Sequence, residues 1–251
     1  MSALRLVSPV IPAFAHVWHG EEMAAAPDAL PTGHHLLDAQ LPGGGWPMNA
    51  LVEVLQTRPE LHAWRLLLPA LAQVVRDQAG PVVLVGAPRE PYGPSLAAQG
   101  LPGERLLCVR GDQPQARLWA AEQALRCADV AAVLAWLPQA RADQLRRLHL
   151  AAQSHRNGRP RLLFVFRTPA VRHDSSPARL RLLVDDAQAL SVRILKRRGP
   201  PVDAPVLLDA HPPRLAALLA SRRRTAPVVA ASSSTLPTRM NVHALDRAVT
   251  A

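Results

Sequence analysis

The sequence predicts an α/β protein: a mostly parallel sheet flanked by helices, with antiparallel strands added at its C-terminal end. Three observations carry that expectation. From residue 50 to residue 167, short apolar runs alternate with longer segments whose apolar residues recur at helical spacing. After Ser176 the helical spacing stops and three strand-like runs follow one another. The chain has 251 residues, 49% hydrophobic and 19% charged, which suits a full globular core rather than disorder. Strand–helix alternation implies parallel pairing, and a run of strands implies an antiparallel finish.

Taken in order, "ALVEVL" (50–55) reads as a buried strand and "ELHAWRLLLPALAQVVRDQ" (60–78) as a helix. "PVVLVGA" (81–87) is a second strand, followed by a short helix around 94–99. "RLLCVR" (105–110) is a third strand, and "PQARLWAAEQALRCA" (114–128) a helix with proline in its first turn. "VAAVLAWL" (130–137) is a fully apolar fourth strand, 141–156 a Leu- and Arg-rich helix, and "RLLFVFR" (161–167) a fifth strand. "ARLRLLVD", "LSVRILKR" and "APVLLDA" are the closing strands, with a last helix at 212–220 and a flexible Ala/Ser/Thr/Pro tail from Thr225.

Composition bounds the function classes. No apolar run reaches the length of a membrane span, since the richest, 66–75, is an amphipathic helix. The first 18 residues loosely imitate a signal peptide, but they carry one charge and two prolines, so the expected location is cytoplasmic. Cys108 and Cys127 read as buried thiols rather than a disulfide framework. The ten histidines show no ligand spacing with cysteine or carboxylate; His34 and His35 are adjacent, and neighbours on a helix point apart. No cofactor or metal is expected. No G-x-S-x-G elbow occurs. Trp46, Trp64, Trp119 and Trp136 read as core residues. The formal charge is +10, with Lys196 the sole lysine. That balance suits contact with nucleic acid or an acidic protein surface, or simply a solvated basic face.

The stretch "LPGGGWPMNALVEVLQTRPELHAWRLL" (41–67) has the outline of a phosphate-binding unit: a Gly-rich turn, a strand, a loop and a helix. A P-loop needs glycines so that backbone N–H groups wrap the phosphates, a lysine to reach them and a hydroxyl for magnesium. Here 56–63 reads Gln-Thr-Arg-Pro-Glu-Leu-His-Ala. The segment "LPTGHHLLDAQLPGGGWPMNALVEVL" (30–55) nevertheless resembles the start of the RecA recombinase core, through Thr32, Gly33, Leu37, Asp38, Gly44, Gly45, Pro47 and Glu53. Within that superfamily "LPGGGWP" (41–47), "AVLAWLP" (132–138) and "ILKRRG" (194–199) are similar to the ImuA family, RecA-like proteins associated with translesion DNA synthesis.

The resemblance implies a RecA-like domain over 29–220, an interaction segment at 1–28 and a basic, flexible tail at 221–251. It also places His62 at the phosphate lysine and Ala63 at the magnesium-binding hydroxyl, with no aspartate ending the fourth strand. Phosphoryl transfer needs the lysine, the metal and a positioned water together, so no enzyme activity is expected. The implied role is a non-catalytic accessory of mutagenic translesion synthesis. Its partners would be an ImuB-like Y-family polymerase homologue, RecA and an error-prone replicative-type polymerase, with single-stranded DNA a further contact and no membrane.

Phe14, Val17 and Trp18 precede the core, where RecA packs a segment on its neighbour, and are candidates for partner binding; the alternative is that Trp18 folds back on its own sheet. Arg172, Arg193, Lys196, Arg197, Arg198, Arg222, Arg223 and Arg224 are candidates for DNA or an acidic partner. The alternative function is a SulA-like division inhibitor, a shortened RecA-like protein that binds the tubulin-like division protein.

Overall fold

The structure, a computed structural model, describes residues 28–58, 63–154, 159–186 and 190–208. In chain order its elements are β1 (Ala29–Leu30), α1 (His35–Asp38), β2 (Trp46–Pro47), β3 (Leu51–Gln56), α2 (Ala63–Asp77), β4 (Val82–Val85), α3 (Gly93–Ala97) and β5 (Leu106–Val109). They continue with α4 (Pro114–Arg126), β6 (Ala132–Trp136), α5 (Ala142–Gln153), β7 (Leu162–Arg167), β8 (Leu180–Asp186), β9 (Leu190–Lys196) and β10 (Val206–Leu208). The helix expected at 212–220 and the tail after Thr225 lie outside the described residues.

Eight strands form one sheet in the order β10-β9-β8-β3-β7-β6-β4-β5. The six from β8 to β5 run parallel, and β9 and β10 pair antiparallel beyond them. β3, β4, β6 and β7 are buried throughout, as continuous apolar runs in a sheet covered on both faces should be. Val52, Val54, Val82 and Leu84 meet Leu66, Leu67, Leu71 and Val74 of α2 on one face, with Leu96 of α3. Leu51, Val83, Val85 and Val165 meet Leu118 and Leu125 of α4 and Leu145 and Leu148 of α5 on the other. Connections running outward along the sheet thus place helices on one face, and those running back place them on the opposite face. A single crossover handedness requires that arrangement.

Pro69 sits inside α2, where a proline cannot donate to the carbonyl four residues back. His34 supplies the missing donor, its Nε2 lying 3.2 Å from the Arg65 carbonyl oxygen. The neighbouring Gly33 has φ +83°, and a Cβ there would lie 2.3 Å from the Pro69 Cβ. The Thr32–His34 segment therefore fits the α2 proline closely, which accounts for a glycine at that position.

Two expectations are corrected. Cys108 and Cys127 are both exposed. β5 is the edge strand, with Cys108 on a face that no helix fully covers, and Cys127 caps the C-terminal end of α4. Trp119 is 65% exposed, because α4 turns Leu118, Ala121, Glu122 and Leu125 inward instead. Trp46 and Trp136 are core residues as expected, Trp46 edge-on to Phe164 at 5.2 Å and Trp136 stacked on Phe166 at 4.5 Å. Trp64 is half-buried against the core.

Candidate functional site

The carboxyl ends of parallel strands are where α/β sheets ordinarily bind ligands. Among the described residues, that end carries few groups that could act on a phosphate. β3 ends in buried Gln56, exposed Thr57 and Arg58 follow, and 59–62, including His62, lie outside the described residues. Ala63 opens α2 as a buried methyl, 3% exposed. β6 ends in Trp136, and Leu137 follows it, neither of them a carboxylate. Glu90 pairs with Arg110 at 3.2 Å, both largely in water, a pair worth little. A cleft of about 450 Å³ does open here between the first turns of α4 and α5, lined by Arg117, Trp136, Arg141 and Gln144 among others. Two of its polar groups are already engaged: Arg117 Nε donates to the Gly111 carbonyl, and Gln144 accepts from the Arg141 N–H at 2.9 Å. Among the described residues, no three His, Cys, Asp or Glu side chains are grouped to hold a metal.

Beneath this end lies a buried charge cluster. Glu53 faces the α5 side of β3 and is fully buried. It accepts from Arg167 Nη1 at 2.8 Å and from Arg181 Nε at 2.7 Å. The register explains the meeting: Glu53 lies opposite Val165 of β7, two residues before Arg167, and opposite Arg181 of β8. Each arginine then holds a connection. Arg167 Nη2 donates to the Ala140 carbonyl at 2.6 Å, before α5. Arg181 donates to the carbonyls of Val171 (2.9 Å), Arg172 (3.1 Å) and Asp174 (3.0 Å). The β7–β8 crossover has only a short 3-10 turn, Pro169–Val171, so these bonds do the work a packed helix would do elsewhere.

The basic residues gather at the opposite end, by the start of β3. A cleft of about 390 Å³ is lined by Arg179, Lys196, Arg197 and Arg198, together with Pro42, Gly45, Pro47 and Pro177. A β-bulge builds it. β8 and β9 pair Leu182 with Ile194 but Arg181 with Lys196, so Leu195 is the extra residue. The bulge reverses the alternation of β9. Lys196 consequently reaches the crossover, donating to the Ser176 carbonyl at 2.8 Å, while Arg197 reaches the Gly-rich turn and donates to the carbonyls of Gln40 and of Pro200. Continuing the register sets Arg179 against Arg198. The sequence reading missed Arg179, although hairpin pairing of "ARLRLLVD" with "LSVRILKRR" is the signal that could have found it.

Of the predicted basic residues, the structure brings together Lys196, Arg197 and Arg198. Arg193 is exposed on β9 outside the lining, and Arg172 is exposed on the crossover, its Nε donating to His173 Nε2 at 2.7 Å. Phe14, Val17, Trp18 and Arg222 to Arg224 lie outside the described residues.

His149 of α5 stands beside this cleft. Its Nδ1 accepts the Leu51 N–H at 3.1 Å, so that nitrogen carries no proton and Nε2 does. The Gln153 amide lies 3.2 Å from Nε2, and the amide oxygen is therefore the atom that belongs there. Burial, then the charges of Arg179 and Lys196, push the His149 pKa below that of a free imidazole.

These features define a class: an α/β protein with a buried ion-pair cluster that holds its loops at one end of the sheet and a basic cleft at the other. Residues 50–158 match the family described as cell division inhibitor SulA. The chain is 31% identical over 111 residues to "Cell division inhibitor SulA" of Edwardsiella piscicida; the alignment takes in 44% of this chain and 66% of that protein. The matched segment runs from β3 through α5. It includes Glu53 but neither Arg167 nor Arg181, and every residue lining the basic cleft lies outside it. Among the described residues, no helix is long and apolar enough to cross a membrane.

Proposed function

We propose that this chain is a SulA-like protein of the DNA-damage response that acts by binding another protein and does not turn over nucleotide. The observation that carries the reading is the match of residues 50–158 to the cell division inhibitor family over four strands and four helices of the sheet. On that basis the first target is the tubulin-like division protein. The absence of catalysis rests on His62 and Ala63 standing where a phosphate lysine and a hydroxyl are needed, and on β6 ending without an acid. A RecA-like core, with its phosphate chemistry lost, accounts for the parallel strands followed by antiparallel ones.

A specific observation favours a second reading. Two of the three stretches similar to ImuA, 41–47 and 194–199, lie outside the matched segment, and both contribute to the basic cleft. That favours an accessory of mutagenic translesion synthesis, bound to an ImuB-like polymerase homologue, RecA or an error-prone polymerase. Affinity capture of the tagged chain from cells after DNA damage separates the two. Recovery of the division protein supports the first reading, and recovery of the polymerase homologue the second. ATP turnover by purified protein with single-stranded DNA, lost on His62→Ala, would refute the non-catalytic assignment.

A further inference from the structure

We propose that the basic cleft between the Gly-rich turn and the β8–β9 hairpin is a docking site for an extended acidic peptide carrying an apolar residue between its carboxylates. The inference deepens the protein-binding reading by giving the chemistry of a partner segment, at a place the similarity to SulA does not cover.

Charge complementarity is the first argument. Four cations line the cleft and no carboxylate does. Two of them are fixed in advance, Lys196 by the Ser176 carbonyl and Arg197 by the carbonyls of Gln40 and Pro200. Fixed heads lose less freedom on binding. Arg179 and Arg198 are exposed, and among the described residues no carbonyl or carboxylate engages their guanidinium groups. They are the donors left for a partner.

The walls give the second argument. Pro42, Pro47, Pro177, Ala178 and Leu180 are aliphatic, and no aromatic residue lines the cleft. Single-stranded nucleic acid is normally held by aromatic rings on which bases stack, in addition to cations. This cleft offers the cations without the platform. The aliphatic walls of this cleft of about 390 Å³ are instead suited to a branched aliphatic side chain, with the cations left for its acidic neighbours. The recess depends on close backbone approach, since a Cβ on Gly45 would lie 2.1 Å from the Leu30 carbonyl oxygen. β10 pairs with Leu190, Ser191 and Val192, at the end of β9 away from the cleft, and the ligand is read by the cations and aliphatic walls of the cleft.

The test uses the purified full chain and fluorescence anisotropy. The probes are a labelled peptide of about ten residues with Glu and Asp around one Leu, the same peptide with Leu→Ser, and oligo-dT of matched charge. The acidic peptide should bind most tightly, with the Leu→Ser peptide weaker by about fivefold. The double variant Arg179→Glu/Arg198→Glu should weaken peptide binding by about tenfold or more. Arg89→Glu, an exposed residue after β4 at the far end of the sheet, should change it by less than about twofold. Circular dichroism checks that both variants are folded. Absent peptide binding, equal binding by the double variant, or an equal loss with Arg89→Glu would each overturn the proposal. Tighter binding of oligo-dT than of the peptide would overturn it in favour of a nucleic-acid site. Because no cell partner enters this assay, its failure is distinct from failure of the capture experiment.

Discussion

Replacing Glu53 by Gln tests the buried charge cluster with almost no change of shape. Glu53 is 0% exposed and each of its oxygens accepts from a different arginine, at 2.8 and 2.7 Å. A glutamine can accept at one of those positions only. Its NH2 group then faces the other guanidinium, donor against donor, and two buried cations remain without a counter-charge. Breaking a buried pair from one side costs about 3–5 kcal/mol. For a chain of this size that lowers Tm by on the order of 10 °C. The damage should also spread to a defined place, because Arg181 positions the carbonyls of Val171, Arg172 and Asp174. Urea unfolding followed by circular dichroism gives the energy. Brief trypsin digestion with mass spectrometry gives the place, since Arg172 is an exposed cleavage site on the crossover. The expected result is a large loss of stability with faster cutting at Arg172. A loss below about 1 kcal/mol with unchanged cutting would show that the carboxylate does not hold the connections.

Phe164→Ala removes a fully buried ring set edge-on to Trp46 and should cost about 3–5 kcal/mol, measured by the same urea titration. Gly33→Ala should also destabilise, because φ of +83° and a 2.3 Å approach to Pro69 leave no room for a methyl; a Tm equal to that of the parent would contradict this. His149 has a pKa lowered by folding from 6.5, so between the folded value and 6.5 the unfolded chain binds more protons than the native one. Its contribution is complete above about pH 6.5 and is lost as pH falls through the folded pKa. His149→Gln should therefore lose less stability than the parent between pH 7.5 and pH 5, and parallel curves would exclude the effect.

Apolar pattern alone placed the strands and helices from β3 to β7, because short continuous apolar runs marked the strands and apolar residues at helical spacing marked the longer helices between them. It also gave the antiparallel finish, through the change of period after Ser176. What it could not give depends on pairing. Glu53 reads in sequence as one polar residue in an apolar strand. Its partners lie 114 and 128 residues away and become neighbours only when β3 enters the sheet between β7 and β8. Sequence spacing put Lys196, Arg197 and Arg198 in one cluster but could not tell which face each would take. The bulge at Leu195 sets Lys196 opposite Arg181, and the hairpin brings Arg179 into the same cleft as Lys196, Arg197 and Arg198. Cys108 and Trp119 were misplaced for a related reason. An apolar strand or helix pattern marks residues that can be buried, but only the order of strands decides that β5 is an edge, and only helix packing decides that α4 turns Trp119 outward. Local chemistry fixes the elements; long-range register determines which charges meet.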